Sequence, residues 1–497
     1  MMNGQRKSDR LVVPTKSLNK AGKPATEAME RSSLAKENTD QQNASRTQCR
    51  NDAPSALDRV RQVAKKDRKA KFTALFHHVG IAQLWSAFGT LKKRAAAGVD
   101  GVRWEQYEAN LVENLRDLHE RLSKGAYRAK PSRRVYIPKA DGRQRSLGVA
   151  ALEDKVVQRA VAEVLNAVYE VDFLGFSYGF RPGRSQHQAL DALAVGICRK
   201  KVNWVFDADI RGFFDSINHE WMLKFLKHRI ADRRVLRLIQ KWLNAGVMEN
   251  GKWTATELGT PQGATISPLL ANIYLHYVHD LWVQAWRKKA ARGEVIVTRF
   301  ADDTVVGFQH REDAERFQHD LQERLKKFGL ELHPGKTRLI EFGRNAADNR
   351  KSRGMGKPET FNFLGLTHIC SRTSVGGFML RRRTMRKRMV AKLKEIRIEI
   401  QRRQHLSTPE QGTWLGGVVR GYFAYHAVPT NIETLRQFRT QLTRHWLHAL
   451  KGRGQRDRSS WERMNRLSQK WLPPARILHP WPEQRFDARI QGKSPVR

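Results

Sequence analysis

Two neighbouring carboxylates, Asp302 and Asp303, lie between the β-branched runs 295–297 and 304–306 in the stretch VIVTRFADDTVVG. The runs predict two strands, and the compact Ala301-Asp302-Asp303 between them predicts a hairpin turn. Side chains alternate faces along a regular strand, but a tight turn relaxes that rule and lets adjacent carboxylates reach one site. Crowded, unpaired carboxylates are costly unless a cation neutralises them, and hard oxygen ligands suit Mg²⁺. A solvated Asp-Asp turn explains a bare pair more simply, so its meaning depends on the other acids. Asp209 stands near the end of the alternating stretch WVFDADI at 204–210. Trp204, Phe206, Ala208 and Ile210 share one face there, and Asp207 and Asp209 share the other. An acid at a strand end and two at a hairpin turn are the parts of a two-metal phosphoryl-transfer site. One ion activates a 3′-hydroxyl and the other holds the leaving pyrophosphate, with the ions ~3.5–4 Å apart. Lys139, Arg145 and Lys336 are cations available for the triphosphate.

The surrounding elements can be read in outline. Residues 133–145 predict a strand, an Asp-Gly turn and a second strand, which would bring Lys139 and Arg145 together across the turn. A solvated basic hairpin fits those residues equally well. FSYGFRPGRS at 176–185 interleaves rings, glycines and arginines, which suits a single-stranded nucleic-acid track through Tyr178, Arg181 and Arg184. The competing expectation is a structural loop with Tyr178 and Phe180 in the core. GTPQGATISP at 259–268 is a glycine- and proline-punctuated loop that leads into an apolar helix, where backbone can approach a ligand closely. Helical periodicity is expected across 57–94, 107–122, 154–170, 311–328 and three segments between 385 and 450. The domains expected are a basic, disordered segment at 1–55 and a helical extension at 56–130. A mixed region at 131–375, a helical domain at 376–450 and an extended, Trp- and Pro-containing tail at 451–497 follow.

Lys and Arg number 92 against 49 Asp and Glu, a formal charge of +43 spread along all 497 residues. A polyanion partner follows, and nucleic acid is the commonest. Binding should weaken steeply with salt. A generically basic, ribosome-associated protein is the plainer alternative. The three cysteines, Cys49, Cys198 and Cys370, form no CxxC pair, which argues against a zinc module and fits a reducing compartment. No apolar run of ~18 residues predicts a membrane span, and no signal peptide is expected.

Taken together, the motifs resemble the reverse transcriptase/maturase proteins encoded by group II introns, from about residue 70 onward. The resemblance is carried by GVDG at 98–101, RRVYIPKADG at 133–142, SYGFRPGRS at 177–185 and DADIRGFFDSINH at 207–219. GTPQGATISPLLANIYL at 259–275, RFADD at 299–303, HPGKT at 333–337 and FNFLGL at 361–366 complete it. It implies an α+β right-hand polymerase with fingers, a palm built on an antiparallel sheet, and a helical thumb or maturase domain. By position, Asp209, Asp302 and Asp303 match the catalytic ligands of two Mg²⁺ ions, for which Mn²⁺ can substitute. Asp207 matches no family ligand. Phe214 matches the bulky residue that excludes a ribose 2′-hydroxyl, Gln262 a contact to the incoming nucleotide, and Lys139 and Arg145 the finger cations, with Lys336 nearby. Phe300 stands where many reverse transcriptases have tyrosine, and activity is expected to survive that change. Residues 413–429 resemble the maturase signature, and the basic run holding Arg381, Arg382, Arg386 and Lys387 is an expected RNA contact.

The family further implies an RNA-directed DNA polymerase that copies intron RNA and assists its splicing and mobility in the bacterial cytoplasm or nucleoid. Its partners would be the group II intron RNA, an RNA template, a DNA primer, dNTPs and a DNA target site, with no membrane. The resemblance is to the form lacking an H-N-H endonuclease, which would take its primer from elsewhere. Two alternatives are an RNA-binding splicing factor on an inactive polymerase scaffold, and a domesticated reverse transcriptase of a defence or diversity-generating system. Intact acids argue against the first and the maturase signature against the second.

Overall fold

A computed structural model of the chain describes residues 52–138, 144–260, 262–453 and 460–485. The expected disordered segment at 1–55 lies almost wholly outside the described residues, and Lys139 lies outside them entirely. The fold is α+β, and among the described residues the strands form three sheets. Strands β1 (Ser132–Pro138) and β2 (Gln144–Val149) form the expected hairpin. β3 (Trp204–Ala208) precedes a second hairpin of β4 (Val247–Glu249) and β5 (Lys252–Thr254). β6 (Val295–Phe300) and β7 (Asp303–Phe308) form the third hairpin, followed by β8 (Arg338–Glu341), β9 (Phe361–Phe363), β10 (Leu366–Arg372) and β11 (Phe378–Thr384).

The sheet that matters most runs β6-β7-β3-β8, antiparallel throughout. Its β-branched and aromatic residues pack on helices that bury one face: Phe206, Phe308, Phe317 and Trp286 meet with ring centroids 5.0–6.2 Å apart. Pairs of this kind add about 0.5–1.5 kcal/mol each beyond their buried area. Strand β3 lies in the middle, between β7 and β8, and this central place carries Asp209 to the mouth of the hairpin turn. A second sheet, β2-β1-β4-β5, joins two hairpins through the parallel pair β1 and β4. The third, β11-β10-β9, leads into the helix Arg386–Arg402.

The described residues divide into two compact units, one comprising those from 52 to 391 together with 480–485 and the other those from 392 to 479. β11 pairs with β10 along its length, so residues 378–384 form a strand of the third sheet, and the helix Arg386–Arg402 follows. Within the second unit the helices Thr408–His426, Ile432–Lys451 and Trp461–Trp471 form their own core. Tyr422 stacks on Phe438 at 3.6 Å, and Trp446 donates to Gln411 Oε1 at 2.9 Å. The tail was expected to be extended, but Ser460 caps a helix over Trp461–Trp471. Trp471 is held against Gly412 and Gly416, where a Cβ would come within 2.6 Å of it. Among the described residues, no helix is long and apolar enough to cross a membrane.

Candidate active site

β6 and β7 pair up to Phe300 opposite Asp303, which leaves a two-residue turn of Ala301 and Asp302. Ala301 has φ 55°, the positive value that such a turn demands and that a side chain resists. Neighbouring chain holds it there. Gly179 lies so close that a Cβ would fall 2.3 Å from Ala301 N. The segment before it lines β6 as a short extra strand, with Arg299 N donating to Phe176 O and Tyr178 N donating to Arg299 O.

The firmest anchor is Arg299, whose side chain is fully buried. Its guanidinium makes five hydrogen bonds: two to the Asp280 carboxylate at 2.6 and 2.7 Å, and one each to Asn272 Oδ1, Ser177 Oγ and Ala301 O. All five guanidinium N–H donors are thereby satisfied, and one grips the carbonyl of the turn itself. Asp280 ends a single π-turn, His276–Asp280, inside an otherwise α-helical run from Ser267 to Lys289. Burial pushes the Asp280 carboxyl up, but Arg299 and His279 outweigh it and hold the group well below the usual carboxylate range. Sequence reasoning gave neither residue a role. The available signal was a lone arginine in an apolar strand, which requires a buried acid somewhere.

Asp209 lies just past β3 and is half-buried, as is Asp302; Asp303 is exposed. Protein packed around the turn raises the Asp302 carboxyl, Asp209 raises it further, and Arg145 and Lys336 oppose the rise. Although the Asp303 side chain reaches solvent, protein packed around the turn and the neighbouring Asp302, Asp209 and Asp207 carboxylates push its carboxyl up, with Arg388 opposing. The three acids expected to meet are therefore close enough to repel one another. Asp207, beside Arg338 at 3.7 Å, is raised to about 6 by burial and Asp209, so it borders the same cluster. Lys336 pairs with Asp209, and the chain before it is tied to the same strand end by His333 N donating to Asp209 O at 2.7 Å.

Of the residues expected on the nucleotide side, Arg145 lies near enough to Asp302 to lower its carboxyl. Arg145 Nε donates to Gln262 Oε1 at 3.1 Å, and Gly148 N donates to Gln262 O. Phe214 is half-buried beside Phe213, and its carbonyl accepts from Thr260 N at 2.8 Å. Gly259, with φ 87°, has no room for a Cβ against Phe214 O. Phe300 sits 6.3 Å from Phe180.

Three expected RNA contacts are corrected. Tyr178 is 1% exposed, with Arg184 over its ring, so it is core and offers no stacking face. Arg181 is buried against Glu170 and the carbonyls of Leu174 and Ser177, which leaves it structural. Arg382 is buried on Asp191. Arg184, Arg386 and Lys387 are exposed and Arg381 is half-buried.

The donor chemistry fits a hard divalent cation. Asp302 and Asp209 raise the Asp303 carboxyl, and the Lys336 ammonium occupies a position on Asp209 where positive charge is wanted. Among the described residues, no group of three or more His, Cys, Asp or Glu stands ready at metal-binding spacing. The fit is therefore one of donor type and charge.

A family model described as reverse transcriptase (RNA-dependent DNA polymerase) matches residues 137–368, a span that contains every acid and nucleotide-side residue named above. The chain is similar to Protein YkfC of Escherichia coli, with 35% identity over 247 residues, 44% of this chain and 65% of that protein. It is also similar to the group II intron-encoded protein LtrA of Lactococcus lactis, with 34% identity over 230 residues, 46% of this chain and 38% of the relative. An uncharacterized 91 kDa protein in a cob intron of Schizosaccharomyces pombe is 36% identical over 194 residues, 39% of this chain and 24% of the relative. The chain thus spans 65% or less of each of these relatives' lengths.

Proposed function

We propose that the chain, whose residues 137–368 match the reverse transcriptase model and which is similar to a group II intron-encoded protein, is an RNA-directed DNA polymerase that copies intron RNA and binds that RNA to assist splicing and mobility. The mutual repulsion of Asp209, Asp302 and Asp303 carries the proposal. Asp209 ends the strand that pairs with β7, and Asp302 and Asp303 stand at the β6–β7 turn, so the three carboxylates converge on one place with only part of their charge offset by Lys336, Arg145 and Arg388. These carboxylates would hold the divalent ions, Mg²⁺ first. When bound, such ions lower the pKa of an attacking hydroxyl and stabilise a leaving pyrophosphate.

The remaining chemistry belongs to the chain. Arg145 is exposed, steadied by Gln262, and available as a cation for the triphosphate; Lys139 would act beside it. Lys336 would move from Asp209 to phosphate when substrate enters, which exchanges one charge-assisted bond for another. Phe214 would wall the ribose on its 2′ side. Residues 131–375 would serve as fingers and palm, and the helices of 392–479 as thumb and maturase domain. Arg184, Arg381, Arg386 and Lys387 would contact RNA. Work on intron RNA and a DNA target would place the protein in the cytoplasm or nucleoid.

The test is dNTP incorporation on an RNA template with a DNA primer. Incorporation should require Mg²⁺ or Mn²⁺ and stop with chelator. A folded protein that binds the hybrid yet extends it with neither metal would overturn the proposal. Replacing Phe214 with alanine should relax discrimination against rNTPs by roughly 10- to 100-fold, the scale on which a shaped pocket rejects one added hydroxyl. The ratio of kcat/KM for dNTP over rNTP measures it, and an unchanged ratio would remove Phe214 from the ribose wall.

A further inference from the structure

The sheet β2-β1-β4-β5 has two edges. β2 forms one, with Arg145 and its contact to Gln262. β5 forms the other, three strand spacings or about 14 Å away. Trp253 stands on β5 with 56% of its surface exposed. Its ring is nevertheless fixed: Nε1 donates to Ala245 O at 3.1 Å. Gly246 lies against the indole, where a Cβ would come within 2.4 Å of Nε1. A large apolar surface held rigid and left open is a stacking platform.

Beside it runs an open groove of about 570 Å³, lined by Arg128, Arg237, Gln240, Lys241, Asn244 and Trp253 among others. That is too large for an ion and lies within the range of clefts that seat nucleotide-sized ligands. Residues 237, 240, 241 and 244 recur at helical spacing along and just past Arg233–Leu243, so they share one face over about 10 Å. The lining includes three cations and no acid. Lys241 is tied to Gly125 O at 3.2 Å, while Arg128 and Arg237 are exposed. Cations in a row beside an open aromatic face suit an unpaired nucleotide chain, whose bases stack and whose phosphates accept from guanidinium. A duplex stacks its bases on one another and offers the indole only the terminal pair at each end.

We propose that this groove binds an unpaired strand of RNA on the edge of the sheet opposite the nucleotide-binding edge. The identity of the ligand as RNA rests on the polymerase reading; the location of the site does not. The test uses the full chain without metal or dNTP and a 12-residue oligouridine carrying 4-thiouridine. Photocrosslinks should map to 244–254, and a blunt duplex of equal length should not displace them. Trp253→Ala should weaken oligouridine binding about tenfold, and Trp253→Phe should retain most of it. Replacing Arg128 and Arg237 together with alanine should reduce the slope of log affinity against log salt by about 1.4, two phosphates at about 0.7 each. Extension of a short RNA–DNA hybrid should be unchanged in these variants. Crosslinks confined to other segments, displacement by duplex, or variants that bind with wild-type affinity and slope would overturn the proposal. Oligouridine held at 244–254 by a protein with no polymerase activity would overturn the enzymatic reading alone.

Discussion

Asp302→Asn should abolish polymerisation while leaving the fold as stable as before or more so. Incorporation of dNTP on an RNA template is expected to fall at least about a thousandfold, roughly 4 kcal/mol of transition-state stabilisation. The stability half follows from the same electrostatics. Burial and Asp209 raise the Asp302 carboxyl above its ordinary value, against the pull of Arg145 and Lys336. A carboxyl raised in the folded state opposes folding once pH climbs past its unfolded value, because ionising it in place costs more than ionising it in water. Asparagine has the same shape and never ionises, so it escapes that penalty at neutral pH. The melting temperature should hold or rise slightly. Mg²⁺ should raise the melting temperature of the parent protein by mass action and that of the variant much less. Incorporation within threefold of the parent would remove Asp302 from the site. A large fall in melting temperature would show instead that its charge stabilises the turn.

Much of this site is legible in the sequence, because its parts are local. Two β-branched runs around Ala301-Asp302-Asp303 specify a hairpin, and the alternation at 204–210 specifies a strand that ends near Asp209. Their meeting is not local: β3 pairs with β7 and β8, across about a hundred residues, and nothing in either segment announces the partner. Burial is also hidden. Rings and arginines at 176–185 read the same whether they line a track or fill a core, and only the packing of Arg181 on Glu170 decides. The helix at 461–471 was masked by the prolines that follow it, although Ser460 and the buried pair Met464 and Ser468, four apart, are helical signals. Arg299 and Asp280 were each conspicuous as charges in apolar stretches. Pairing them required the π-turn, which advances the helix face at Asp280 and has no sequence signature.

That pair yields the second large effect, and it should separate differently from the first. Arg299→Met leaves the Asp280 carboxylate buried without its guanidinium partner, and Asp280→Leu leaves the guanidinium without its carboxylate. Breaking a buried ion pair from one side costs about 3–5 kcal/mol. Each single variant should therefore lose several degrees of melting temperature. The double variant removes both charges and should recover most of that stability, since apolar replacement of a buried pair is often neutral. Activity should not recover with it. Arg299 Nη1 holds Ala301 O at 2.7 Å, and methionine has no donor to replace that bond. The turn would then relax from the positive φ at Ala301, and the two carboxylates beside it would drift apart. Loss of such a supporting bond typically costs 10- to 100-fold in metal affinity or activity. The double variant should accordingly need about 10-fold or more Mg²⁺ for half-maximal incorporation, with KM for dNTP little changed. A structural pair alone would predict that stability and Mg²⁺ dependence recover together. Their recovery in step would reduce Arg299 to packing; restored melting with a displaced Mg²⁺ curve would establish it as the residue that aims the catalytic turn.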